Sequence, residues 1–137
     1  MLRVAPDGRS VWVQTGRSHT NVVLDAETLA IRQTTPTGRE PVTAAFQPAG
    51  RPYGLVTHLS DNFVLVLDHA SGVEVARIDV GGPQANASFT PDGALAFVTV
   101  TPSNEVAIID LANRAVVGRI PVGSQPMGLV LLDPDTA

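Results

Sequence analysis

The chain sets apolar against polar positions in short bursts, and each burst ends at a turn signal. "SVWVQT", "NVVLD" and "TLAIRQT" come first, within residues 10–34. "YGLVTH", "NFVLVLD" and "VEVARIDV" follow within 53–80, then "LAFVTV", "EVAIID" and "AVVGRIPV" within 95–122. These runs are rich in Val, Ile and Leu and keep a period near two, which predicts β-strands. In "VEVARIDV", Val73, Val75 and Ile78 stand against Glu74, Arg77 and Asp79, the pattern of an outer, half-solvated strand. A further set, "VTAAF", "ANASF" and "MGLVLL", begins each following group. Thr43, Ala44 and Ala45, like Ala85, Asn86, Ala87 and Ser88, are small enough for strands crowded at a common axis. No stretch joins helix caps to a sustained 3.6-residue period.

The bursts repeat. The turn Pro6-Asp7-Gly8 returns as Pro48-Ala49-Gly50 and Pro91-Asp92-Gly93, and begins again at Pro134-Asp135. The aspartate that closes an apolar run returns as Asp25, Asp68 and Asp110. Gly38, Gly81 and Gly123 mark the loop that follows, with Pro41, Pro83 and Pro126 after them. Equivalent Asp and Gly markers are 42 or 43 residues apart, so independent markers share one period.

Four strands in a period of about 40 residues predict an all-β fold, a β-propeller of three four-stranded antiparallel blades. Blade one spans about 1–36, blade two about 42–80 and blade three about 85–122. The first strand of a further blade falls at about 127–132. The order "P-D-G … Y-V-T-N … V-x-V-I-D … V-x-x-I-x-V-G-x-x-P" resembles the YVTN-type β-propeller repeat. It stands here as Trp12-Val13-Gln14-Thr15, Leu55-Val56-Thr57-His58 and Phe97-Val98-Thr99-Val100. The resemblance covers nearly the whole chain, though none of the three copies keeps the Asn, which is replaced by Thr15, His58 and Val100. It implies a periplasmic, cell-surface or secreted setting. This sequence itself shows no charged leader followed by an apolar run.

Propellers close with about four to eight blades. Three would leave two apolar sheet faces and a strand edge open, a liability in water. Two arrangements answer this: a single partial propeller belonging to a larger ring whose remaining blades lie elsewhere, or a homodimer forming a six-bladed ring. In the dimer, "MGLVLLDPD" (127–135), which is in phase with "MLRVAPD" (1–7), would fill the innermost slot of blade one in its partner.

Composition narrows the functions. There is no cysteine, which removes disulfides, thiolate metal sites and a Cys nucleophile. All nine basic residues are Arg and lie singly along a chain of net charge −4, which predicts no nucleic-acid partner. No run approaches the roughly 18 apolar residues of a membrane span. There is no G-x-S-x-G, no phosphate-cradling loop and no C-x-x-C-H haem attachment motif.

In such a fold the second-to-third-strand loops and the blade connections share one face, where repeat proteins carry function. That face collects His19, His58, Asp61, Arg39, Gln84 and Gln125 as candidate ligand-binding residues. His58 is the most pointed, because a neutral imidazole can ligate a metal or haem or carry a proton. The alternative is that it hydrogen-bonds a turn backbone in place of the Asn. His19, His58 and Asp61 form a valid metal-ligand set, but no tight spacing enforces it, and no metal is expected. His69 falls on the opposite face. Asp25, Asp68 and Asp110 each precede a turn and predict backbone-capping Asx turns. Nothing predicts a catalytic residue. The expected function is a non-catalytic binding or scaffold module holding a protein or small-molecule ligand on the loop face, without a cofactor. The resemblance also implies an alternative, a redox propeller carrying pyrroloquinoline quinone or a modified haem, with His58, Arg39 and Gln84 as the first ligands to consider.

Overall fold

The computed structural model describes residues 1–132. Twelve strands run in order: β1 (Leu2–Val4), β2 (Ser10–Thr15), β3 (Thr20–Asp25), β4 (Ile31–Pro36), β5 (Pro41–Phe46), β6 (Tyr53–His58), β7 (Phe63–Asp68), β8 (Glu74–Asp79), β9 (Gln84–Phe89), β10 (Leu95–Val100), β11 (Glu105–Asp110) and β12 (Ala115–Pro121). They form three four-stranded antiparallel sheets, β1-β2-β3-β4, β5-β6-β7-β8 and β9-β10-β11-β12. Each sheet is one repeat of the sequence. The only helical piece among the described residues is a 3-10 turn at Thr101–Ser103.

The repeat reaches down to irregularities. The pairing between third and fourth strands shifts register at Val23/Leu24, Val66/Leu67 and Ile108/Ile109, the same place in each blade. The turn that follows places a left-handed residue at Leu29, Gly72 and Arg114. Asp25, Asp68 and Asp110 each accept backbone N–H groups two and three residues on, the capping expected of them. At Asp25 the N–H of Thr28, the Arg32 guanidinium and the N–H of Glu27 together draw the carboxyl down to about 2.

The core lies between the sheets. At the first junction Trp12 and Val23 meet Ala44, Val56, Leu65 and Leu67, with Phe46 and Phe63 at the margin. Trp12 packs edge-on to Phe46 at 4.8 Å. At the second, Leu55, Val64, Val66 and Ile78 meet Ala87, Ala96, Val98, Ala107 and Ile109. The small inner strands behave as expected, with Ala44, Ala85 and Ala87 buried.

Residues 127–132 form no strand, since no second strand of a further blade is there to pair with them. The innermost slot of blade one is already held by Leu2–Val4, paired to Val11–Val13. In the closed dimer residues 127–132 of one chain would have to displace Leu2–Val4 of its partner from that slot. The further turn at Pro134-Asp135 lies outside the described residues. No helix among the described residues is long and apolar enough to cross a membrane.

Candidate functional site: the loop face between blades one and two

Five of the six candidates converge where the chain passes from blade one to blade two, four of them in one hydrogen-bond network. His58, at the end of β6, is fully buried. Its Nε2 accepts the Gly38 N–H at 3.1 Å. That leaves Nδ1 as the donor to the Phe63 carbonyl at 3.0 Å, so the tautomer is fixed by two backbone groups. Its ring tilts against Phe63 at 5.0 Å, and Arg77 stacks over that phenyl at 4.7 Å. Burial pushes the imidazole below its ordinary value; Arg77 adds to this, and the Phe63 carbonyl and Asp61 act against it.

Asp61 ties the next residue of the same loop. Its Oδ2 accepts the Arg39 N–H, and its Oδ1 takes the Arg39 guanidinium at 3.2 Å. Burial raises the Asp61 carboxyl, but the backbone and side chain of Arg39 outweigh it and hold it below the usual range. Gln84 is fully buried at the start of β9. Its Oε1 accepts the His58 N–H at 3.1 Å, and its Nε2 donates to the Asp61 carbonyl at 2.8 Å and to that of Gly82. Gln84 thus carries the network on to blade three.

His19 and Gln125 stand on opposite sides of one hydrogen bond that recurs two repeats apart. Glu40 and Gln125 occupy equivalent left-handed positions, φ +52° and +54°. The Glu40 N–H donates to His19 Nδ1 at 3.2 Å, and the Gln125 N–H to Asn104 Oδ1 at 3.0 Å. Gln125 therefore stands at the connection after blade three, away from the other five. His69 lies on the opposite face, where its Nε2 meets the Arg51 carbonyl at 2.7 Å. Among the described residues no three His, Cys, Asp or Glu side chains gather into a metal-binding group.

The arrangement is a latch: side chains of blade two's loop close over the backbone arriving from blade one. Sequence reading missed its tightest member. A methyl on Gly38 would stand 2.5 Å from Asp61 Oδ2 and 2.7 Å from Phe63 Cζ. Gly38 carried only a turn signal in the sequence, and a turn signal does not reveal what packs on it. Gly38→Ala is expected to lower stability by about 1–3 kcal/mol through overpacking, read by urea denaturation.

The latch also sets a pH dependence. The unfolded chain's His58 takes up its proton near pH 6.5, while the folded one resists it until lower pH. Its contribution is therefore complete above about 6.5 and is lost as pH falls through the window below. Between pH 7.5 and 5.5 the wild-type chain should lose stability by more than a His58→Asn variant, measured by denaturation at both values.

Beside the latch is a cleft of about 420 Å³, lined by Gln14, Arg17, Glu40, Pro41, Val42 and Leu59 among others. Its walls are largely apolar and its charged side chains exposed. Arg17 makes no ion pair among the described residues.

No protein-family model and no curated protein matches the chain. Solved structures do. The chain is similar to Kuenenia stuttgartiensis hydrazine synthase, with 23% identity and a TM-score of 0.84 over 90% of this chain and 36% of that one. It is similar to U3-55K at 12% identity and TM-score 0.81, covering 90% of this chain and 39% of that one. It is similar to the dihydro-heme d1 dehydrogenase NirN, solved in complex with DHE, at 16% and 0.76, covering 88% and 27%. The chain thus spans well under half of each. Likeness at these identities shows the fold, and the fold is the β-propeller that the strand count predicts.

Proposed function

We propose that the chain is an arc of a larger YVTN-type propeller and acts as a non-catalytic binding module, receiving a ligand on its loop face. One observation carries this reading. The side chains best suited to chemistry are committed to loop backbone, while an open, partly apolar cleft lies next to them. A latch of this kind supplies a fixed floor and rim, and rigid placement is what a binding face needs. A panel of amphipathic small molecules, read by melting temperature, tests it. A stabilising ligand should lose its effect in Leu59→Ser and Arg17→Ala and keep it in Arg9→Ala and Glu27→Ala on the opposite face. The reversed pattern would sink the reading.

A redox module is the second reading, favoured by the likeness to a hydrazine synthase and to a haem d1-type dehydrogenase. Pyrroloquinoline quinone or a modified haem would need free ligand atoms. His58 has both nitrogens engaged, Gln84 both amide atoms, and Arg39 is paired with Asp61. These three residues do not fit such a group. Strong absorbance above 350 nm from the purified protein would restore the redox reading.

A further inference from the structure

Among the described residues, two sheet faces of the arc have no blade against them. On blade one, Val11 and Val13 face away from blade two, with Val22 and Leu24 paired beside them and Leu2 and Val4 at the inner edge. Leu2 and Val4 are 60% and 56% exposed, which marks this face as open. On blade three the open face carries Phe97 and Ile108, paired across β10 and β11, and Ile120 beyond. Both faces repeat surfaces that are buried at the two internal junctions.

Those junctions follow a size rule. At the first, Trp12, the third residue of β2, lies over Gly54, the second residue of β6. A methyl on Gly54 would stand 2.9 Å from the indole Cη2 and 3.0 Å from Cζ3. At the second, Leu55 is the third residue of β6 and Ala96 the second of β10; both are fully buried in one cluster. At the first junction a large third-position residue thus meets a second-position glycine, and at the second the same two positions, leucine and alanine, share one buried cluster. Blade three offers Phe97 at its third position. Blade one offers Val11 at its second.

We propose that the open face of blade three is covered by a further four-stranded blade with glycine or alanine at the second position of its second strand, and not by blade one of a second copy. Residues 127–132, which form no strand here, would become the innermost strand once that blade is present. The proposal rests on the larger-propeller reading above. A second copy would bring Val11 beneath Phe97, setting a branched side chain where the internal junctions hold hydrogen or one methyl. It would also bring its own Leu2–Val4 into the slot toward which residues 127–132 lead. The chain leaves blade three as it leaves blade one: Gly123–Gln125 repeats Gly38–Glu40, down to the left-handed residue and the loop side chain that binds it.

The test replaces residues 126–137 by a second copy of residues 41–80, whose first strand then continues in phase. Two fusions are compared, one unchanged and one with Gly54→Val in the added copy only. The unchanged fusion is expected to melt several degrees above the 137-residue chain, and the Gly54→Val fusion to lose that gain. Equal melting temperatures for the two fusions would overturn the size rule while leaving the larger-propeller reading intact. If neither fusion is soluble, the 137-residue chain itself decides. A discrete particle of twice 14.3 kDa would overturn the proposal, and with it the larger-propeller reading; the absence of such a particle upholds it.

Discussion

His58→Ala is expected to destabilise the protein by about 3 kcal/mol, because two buried backbone groups lose their partner at ~1–3 kcal/mol each. The groups are the Gly38 N–H and the Phe63 carbonyl, bound at 3.1 and 3.0 Å. The same change opens a cavity beside the Phe63 ring. His58→Asn should recover part of the loss, since an amide keeps both a donor and an acceptor. Trp12 is the chain's only tryptophan, so its fluorescence reports the unfolding of these variants. If His58→Ala unfolds with the wild-type midpoint, the latch does not hold the blades and His58 must be sought in another role.

Trp12→Ala should cost more, about 3–5 kcal/mol, the range for deleting a large buried aromatic side chain. Trp12 has no exposed surface and fills the gap that Gly54 leaves on blade two. Its indole N–H has no partner among the described residues, so volume and apolar contact are what it contributes. Trp12→Phe, which keeps most of the ring contact and removes the unpaired N–H, is expected to lose less than half as much. Circular dichroism against urea measures both, as the fluorescent probe is gone. Equal losses for the two variants would mean that the junction does not depend on filling this space.

The strands were legible because sheet burial imposes a period of two, and a repeated unit must repeat its turns as well. Every third strand ends at its expected aspartate. β4 departs from the expected "TLAIRQT": it begins at Ile31 because Leu29, left-handed at φ +63°, belongs to the turn capped by Asp25. A hydrophobic pattern does not announce a left-handed leucine. Residues 127–132 have the right pattern and no strand, since a strand is a property of a pair and the sequence shows one partner at a time. The loop-face cluster was legible as a set of polar residues at one phase. Whether His58 offered a free nitrogen was not, because that depends on backbone groups from a neighbouring repeat. The cleft escaped notice for a related reason: Pro41, Val42 and Leu59 are apolar residues on loops and strand ends, which no polar motif marks.

As an arc of a larger propeller, the three blades leave a sheet face open on each flank. Light scattering on a sizing column, across a concentration series, tests it most directly. A 14.3 kDa monomer is expected at low concentration, with heterogeneous association through the open faces as concentration rises. A single particle of twice that mass, unchanged on dilution, would contradict it and show that two copies close the ring.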